Sequence, residues 1–287
     1  MFKKIKQLLA DNGILLSAVL PLSACTVTRP YLLERASIDL SGSAVVFAIP
    51  YHAPACEVSE RNLSRYAVGK DYHLFVENLA EQLLPLLHHE FPNAKFSFFA
   101  DHSPIDEREA AAKGGLGIIG QNGLLITKPY SSYVFLGEII TDKPISDGLY
   151  KLTDVSYCEN CGACLSACPY AKGEITECLS SLTQKKGELS EKEQEALSRY
   201  GSVWGCDICQ EVCPHTQEAD AHGTLSSPIS FFHESPIPHL TYNGVREMSD
   251  AEFSKRAYAW RGRKVILRNL SVFEGEHEKP KKSNGGS

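Results

Sequence analysis

Cys158-Glu159-Asn160-Cys161-Gly162-Ala163-Cys164-Leu165-Ser166-Ala167-Cys168-Pro169 is the stretch on which the fold turns. Thiolates spaced two residues apart wrap a loop around three corners of an iron–sulfur cubane, and the fourth cysteine, before a proline, leads into a helix that points elsewhere. Further on, Cys206-Asp207-Ile208-Cys209-Gln210-Glu211-Val212-Cys213-Pro214 repeats the pattern one cysteine short, and Cys178 between the runs supplies the missing ligand. In two-cluster ferredoxins the cysteine before the proline ligates the other cluster. That crossover assigns Cys158, Cys161, Cys164 and Cys213 to one four-iron cluster, and Cys168, Cys178, Cys206 and Cys209 to a second. Zinc or disulfides are the competing uses, but zinc sites favour two separated Cys-x-x-Cys pairs over a triple run ending in Cys-Pro. Cys25 and Cys56 are left over and read as buried free thiols. Two clusters imply transfer of single electrons at low potential.

Outward from this segment, 287 residues are enough for one large domain or two modest ones. A formal charge of −6 excludes a surface basic all over, so any nucleic-acid contact must be a local patch. No apolar run reaches the roughly 18 residues that a membrane helix needs. Lys3, Lys4 and Lys6 ahead of the apolar stretch Ile14 to Ala24, and Leu22-Ser23-Ala24-Cys25, imitate a lipoprotein leader. Asp11, Asn12 and Gly13 break the apolar core such a leader requires. A helix over Phe2 to Ala10 followed by a buried strand is expected instead, in a protein of the reducing cytoplasm, where cluster cysteines are filled.

Residues 43–51 read as a buried strand, 71–91 as a helix, Lys95 to Ala100 as a strand and Glu107 to Lys113 as a helix closed by Gly114-Gly115. Strands are expected at Gly123–Thr127 and Tyr133–Thr141. The alternation predicts an α/β sandwich over 1–150, followed by a ferredoxin-like double-cluster domain over 151–225. Ser190 with Glu193 forms a capping box. Residues 226–275 are expected to hold one or two helices, and 276–287 a disordered tail.

A ferredoxin needs only the cysteine segment, so the preceding sandwich implies a further redox centre or a substrate pocket. Three stretches there carry a resemblance: Ser64-Arg65-Tyr66-Ala67-Val68-Gly69-Lys70-Asp71-Tyr72-His73, Asp101-His102-Ser103-Pro104, and Glu107-Arg108 on to Gly115-Leu116-Gly117-Ile118-Ile119-Gly120-Gln121-Asn122. With Gly205-Cys206 through Cys213-Pro214, they resemble the epoxyqueuosine reductases over about residues 43 to 270. The resemblance implies a cobalamin-binding α/β sandwich, base-off cobalamin near one of two [4Fe-4S] clusters, and removal of an epoxide oxygen to complete queuosine in tRNA. The departing oxygen needs a general acid, and Asp101 matches the family's proton donor; an Asp before Ser-Pro is otherwise a turn or cap residue. Arg108 matches a residue near corrin and substrate, and otherwise reads as a surface arginine. Ser64, Tyr66, Asp71, Tyr72 and His73 match a segment lining the cofactor pocket, although His73 alone reads equally as a core histidine.

Gly115-x-Gly117-x-x-Gly120 spells the dinucleotide fingerprint, but that motif must follow a strand and open a helix. Here the order is reversed, so NAD is rejected, and the glycines are expected to let backbone approach the corrin. No Asp-x-His-x-x-Gly occurs, in keeping with a cobalamin whose lower ligand no histidine replaces. The chain departs from the family in lacking the C-terminal helical repeats that grip tRNA, in carrying His215 where Trp is usual, and in offering only Arg29-Pro30 for an Arg-Pro segment. Lys255, Arg256, Arg261, Arg263, Lys264 and Arg268 around Tyr258 and Trp260 form a basic stretch suited to tRNA, or else a solvated helix face with Trp260 packed inward. A low-potential donor such as ferredoxin or flavodoxin is expected. The alternatives are a corrinoid reductase of another small electrophile, as in reductive dehalogenases, and a ferredoxin-like carrier whose first domain only docks a partner.

Overall fold

The computed structural model describes residues 1–147 and 153–273. The expected break at 150 and the tail over 276–287 lie outside the described residues. Helix α1 (Phe2–Asp11) buries Phe2, Ile5, Leu8 and Leu9, the face predicted for it, and ends at Asn12-Gly13. Strand β1 (Leu16–Pro21), helix α2 (Pro30–Ala36), strand β2 (Ser43–Pro50), helix α3 (Tyr72–Glu90), strand β3 (Phe96–Phe99) and helix α4 (Glu107–Lys113) follow. A small hairpin, β4 (Ile118–Ile119) with β5 (Leu125–Ile126), precedes strand β6 (Val134–Thr141). Asp71 starts α3 by accepting the His73 backbone N–H at 3.0 Å, and Asp106 starts α4 by accepting that of Glu109 at 3.1 Å.

The strands form one sheet in the order β1-β2-β6-β3, every neighbouring pair antiparallel. Every residue of β2 is buried, which is why its sequence is a continuous apolar run without alternation. Successive side chains still go to opposite faces. Val45, Phe47 and Ile49 join α1 and α3 on one side, while Ala44 and Val46 join α2 and α4 on the other. Gly137 of β6 leaves room for the Phe47 ring, which a Cβ there would meet at 2.6 Å.

The cysteine segment is built of short helices: α5 (Ala163–Ala167), α6 (Leu179–Gln184), α7 (Glu191–Tyr200), α8 (Ile208–Glu211) and α9 (Pro214–Ala221). The expected capping box opens α7, with the Ser190 N–H donating to Glu193 Oε2 at 2.7 Å. Leu179, Leu182, Leu189 and Leu197 give α6 and α7 a small core of their own.

The last segment holds three helices, α10 (Tyr242–Glu247), α11 (Asp250–Phe253) and α12 (Arg263–Phe273), where one or two were expected. Thr241 and Ser249 each cap a new start, through the backbone N–H groups of Gly244 and Glu252, and this divides the apolar pattern. These helices pack on Leu63, Ala67, Val203 and Trp204. Phe232, Ile229 and Leu225, just before them, complete the core around Phe75 and Phe47. Among the described residues no helix is long and apolar enough to cross a membrane.

Candidate functional site: two thiolate sets and an acid on a left-handed loop

All ten cysteines are free thiols. Cys158, Cys161, Cys164 and Cys213 line one cavity of about 220 Å³, so the structure brings together the four residues that the crossover pattern groups. Asn160 (φ +54°) and Gly162 (φ +78°) turn the chain between these cysteines, and left-handed positions suit Asn and Gly. The Gln121 backbone N–H donates to Cys158 Sγ at 3.3 Å. Hydrogen bonds to cluster sulfurs help set the potential. His215, also lining this cavity, meets Glu159 at 3.1 Å.

The second set converges next to the first. Burial pushes the Cys206 thiol up to about 12, and Cys209 and Cys178 add to the rise. Burial likewise pushes Cys209 up to about 11; Asn122 opposes it by hydrogen bonding, while Cys168, Cys178 and Cys164 add to it. Cys178 and Cys209 thus act on Cys206, and Cys168, Cys178 and Cys164 on Cys209, which sets the second four cysteines in one region of the protein beside the first. A cavity of suitable size and four converging thiols beside it fit two four-iron clusters.

Asp207, between Cys206 and Cys209, fastens this region to the sandwich. It is buried and accepts the Ser64 hydroxyl at 2.5 Å, Arg61 at 2.9 Å and the Arg65 backbone N–H at 2.8 Å. Gly205 packs so closely under this segment that a Cβ would meet the Tyr66 ring at 2.9 Å, and Ser64 Cβ closer still. Ser64 and Tyr66 are thus tied to the second cysteine run. Tyr66 also packs edge-on against Phe135, on whose ring Tyr72 stacks at 3.9 Å.

Asp101 follows β3 on an exposed loop, with φ +62°. That strained conformation is held from the interior side: Arg29 donates to the Ser103 carbonyl at 3.0 Å, and the backbone of 26–29 bonds that of 104–106. Burial, followed by the charges of Asp101 and Glu107, drives Tyr72 far above its ordinary value. His73 is raised by its 2.8 Å bond to Asp71, with the charge of Asp101 contributing. Arg108 is exposed and donates to the Gly123 carbonyl at 2.8 Å. Of the three motif glycines, Gly115 (φ +76°) faces open space, Gly117 lies against the Ile126 carbonyl, and Gly120 borders the first thiolate cavity. They follow α4 and lead into the β4–β5 hairpin, the reverse of a dinucleotide site.

The basic stretch divides. Arg256 is 1% exposed and bonds the Ser235 carbonyl and Glu252; Arg263 pairs with Asp250 at 2.8 Å; Arg268 donates to the carbonyls of Lys185 and Gly187. Tyr258 is buried, whereas Trp260 is 60% exposed, with Arg261 over its ring at 4.0 Å. The aromatic that packs inward is therefore Tyr258, and Lys255 and Lys264 remain on the outside with Trp260, while Arg261 is half-buried.

Sequence reasoning passed over Asp207, Asn122 and Glu138 and gave Arg29 little weight. Glu138 had a signal: a lone acid inside the apolar strand Val134–Thr141.

Two ferredoxin-type thiolate sets, joined to a sheet that presents an acid on a strained loop, define an iron–sulfur oxidoreductase. Residues 157–216 match the 4Fe-4S double cluster binding domain, and residues 35–102 match the family described as Epoxyqueuosine reductase QueG, DUF1730. The epoxyqueuosine reductase of Gloeobacter violaceus is 33% identical over 223 residues, 74% of this chain and 68% of its own. That of Listeria monocytogenes is 31% identical over 253 residues, covering 80% and 62%. The solved enzyme of Streptococcus thermophilus superposes with a TM-score of 0.72 at 22% identity, over 95% of this chain and 80% of that one. The chain belongs to the epoxyqueuosine reductase family, whose cofactors are two [4Fe-4S] clusters and cobalamin. It spans about two thirds of the length of these curated relatives.

Proposed function

We propose that this chain reduces epoxyqueuosine to queuosine in tRNA, with Asp101 donating a proton to the departing epoxide oxygen. The observation that carries this is the placement of Asp101 on an exposed left-handed loop, its backbone N–H against the Glu107 carboxyl, in a chain of this family. A related structure contains an epoxyqueuosine-modified tRNA-Tyr stem loop, and the Bacillus subtilis enzyme has been solved with its aspartate catalytic loop swung out of the active site. Here the corresponding loop is tied to the body by Arg29, by the backbone of 104–106 and by the 2.7 Å hydrogen bond between Tyr31 and His102.

The residues fit cobalamin. No atom lies within 4 Å of where a Gly115 side chain would begin, and at Gly123 only Arg108 does, at 3.5 Å. This leaves an open backbone face at Gly115 and Gly123, bordered by Arg108. Ser64, Tyr66, Asp71, Tyr72, His73, Arg108, Gly115, Gly117 and Gly120 are the residues we assign to holding it. Cobalamin, when bound, supplies a strongly reducing, nucleophilic metal centre. The protein supplies the rest: the Asp101 carboxyl is the proton donor, the Tyr72–Phe135 stack provides a rigid apolar wall, and the Gln121 N–H would help set the potential of a cluster held through Cys158. Residues 1–150 would carry corrin and substrate and 151–225 the clusters. Lys255, Trp260, Arg261 and Lys264 offer charge and stacking to the tRNA. A ferredoxin or flavodoxin is the fitting one-electron donor, in the cytoplasm.

Anaerobic reconstitution with iron, sulfide and cobalamin, followed by assay on epoxyqueuosine-containing tRNA, tests this. Asp101→Asn should bind corrin and iron normally and lose about 100-fold or more in turnover. A chain that binds no corrin, or an Asp101→Asn enzyme with undiminished turnover, would refute the respective part.

A further inference from the structure

Behind the Asp101 loop two carboxyl groups face one another out of water. Glu138 lies on β6, paired in register with Val46 on one side and Phe99 on the other, and is fully buried. Both of its carboxyl oxygens are out of reach of water, and the polar groups close to them are the Ser103 hydroxyl and the Glu107 carboxyl. Strand alternation puts it on the same face as Ile140, towards α4, where it meets Glu107. Glu107 is half-buried; its Oε1 is sequestered without a partner, and its carboxyl lies against the Asp101 backbone N–H. The other groups facing the pair are the Ser103 hydroxyl, Tyr72 from α3, Cys25 after β1, and Arg29, whose guanidinium is already bonded to the Ser103 carbonyl.

An apolar residue would fill the Glu138 position with no desolvation cost, so a bare carboxyl there calls for a reason. Two carboxyls desolvated side by side cannot both ionise, and the pair retains a proton near neutral pH. Burial pushes Glu107 up to about 7, and burial together with the Glu107 carboxyl beside it pushes Glu138 well above the usual carboxylate range.

The deoxygenation has a matching need. Epoxide, two electrons and two protons give alkene and water: both C–O bonds break, a carbon–carbon double bond forms, and the oxygen leaves fully protonated. The electrons come singly from the low-potential donor through the clusters. Asp101 carries one proton. We propose that the Glu107–Glu138 pair stores the second and delivers it through Glu107 to the Asp101 carboxyl, once Asp101 has protonated the departing oxygen. This assignment rests on the epoxide-reductase function proposed above. Glu138 and Glu107 act through Asp101 and need not touch the substrate.

The test uses the full chain loaded with clusters and cobalamin. Infrared spectra in H₂O and D₂O at neutral pH should show the exchangeable carbonyl stretch of a protonated carboxylic acid, lost in Glu138→Gln and in Glu107→Gln; this reports on the pair without turnover. In steady state both variants should lose about 100-fold in kcat with KM for the modified tRNA unchanged. The wild-type kcat should fall above about pH 7, and that limb should be absent from the Glu107→Gln profile. Glu138→Asp, which restores a carboxyl, should recover both the band and part of the rate. No acid band at neutral pH, or Gln variants with wild-type kcat and pH profile, would overturn the assignment. A wild-type chain that shows the band yet leaves the epoxide untouched would instead refute the proposed reaction, and the destination of the proton with it.

Discussion

Replacing Gly205 by alanine should separate the cost of a turn from the cost of a docking surface. Gly205 (φ +74°) and Gly201 (φ +67°) lie four residues apart, and both occupy the left-handed region. A Cβ at Gly201, the C-cap of α7, would have nothing within 4 Å, so Gly201→Ala carries only the backbone penalty, about 1–2 kcal/mol. At Gly205 the same Cβ would run into Ser64 and the Tyr66 ring, the latter at 2.9 Å. Both are held by buried contacts, Ser64 through Asp207 and Tyr66 against Phe135, so neither yields easily. Forcing a methyl into such packing adds about 1–3 kcal/mol. With about 2–4 °C of Tm per kcal/mol for chains approaching this size, Gly205→Ala should melt about 2–12 °C below Gly201→Ala. Anaerobic thermal unfolding followed by circular dichroism, with iron content measured on the same samples, reads the difference. Gly205→Ala should also lose iron, because the 64–66 segment is pushed against the Cys206–Cys209 loop. Equal Tm losses in the two variants, or full iron retention in Gly205→Ala, would mean that the segment does not press on the cysteine run.

Cys213→Ser and Cys178→Ser should each lower iron from about eight to about four atoms per chain, with different residual paramagnetic spectra; identical residual spectra would contradict the two-set grouping. Asn269, fully buried, donates to the carbonyls of Thr183 at 2.7 Å and Val203 at 2.8 Å, so Asn269→Ala strands two acceptors and should cost about 2–4 kcal/mol in denaturant unfolding. Glu107 rises from 4.5 to about 7 on folding, so the stability it contributes is full below pH 4.5 and drains away as pH rises through 7. Wild type and Glu107→Gln should therefore have similar stability near pH 5, with the variant ahead near pH 8; a gap that does not vary with pH would count against a raised carboxyl.

What was legible in the sequence was local. Cysteine spacing shows how one loop wraps a cluster, and the buried strand and its helices announce themselves by apolar period. The Ser190–Glu193 box lies within one helical turn, and it formed as expected. What escaped depends on partners distant in sequence. Asp207 is an ordinary acid until folding brings Arg61, Ser64 and Arg65 around it. Arg256 sits in a basic run, yet its charge is spent inside the protein on Glu252 and the Ser235 carbonyl. Three helices stand where one or two were expected because Thr241 and Ser249 cap fresh starts that apolar periodicity does not register. Asp101 drew notice through its wording within a motif, but Glu138, buried behind its loop, belongs to no motif and meets Glu107 only once β6 is placed against α4.

The arrangement of the two thiolate sets also bears on how the protein matures. Cys168, Cys178, Cys206 and Cys209 all lie within the span of chain between Cys164 and Cys213. Once the first four cysteines have closed on their iron, the other four are confined to a tethered loop, and bringing them together costs less chain entropy than it would in an open coil. Assembly then has a built-in order of ease: the second insertion follows the first more readily than either proceeds alone, and half-loaded molecules should be scarce during reconstitution. A damaged outer set, conversely, frees the inner one, so that the iron still held by the inner four cysteines should be given up more readily than in the intact protein.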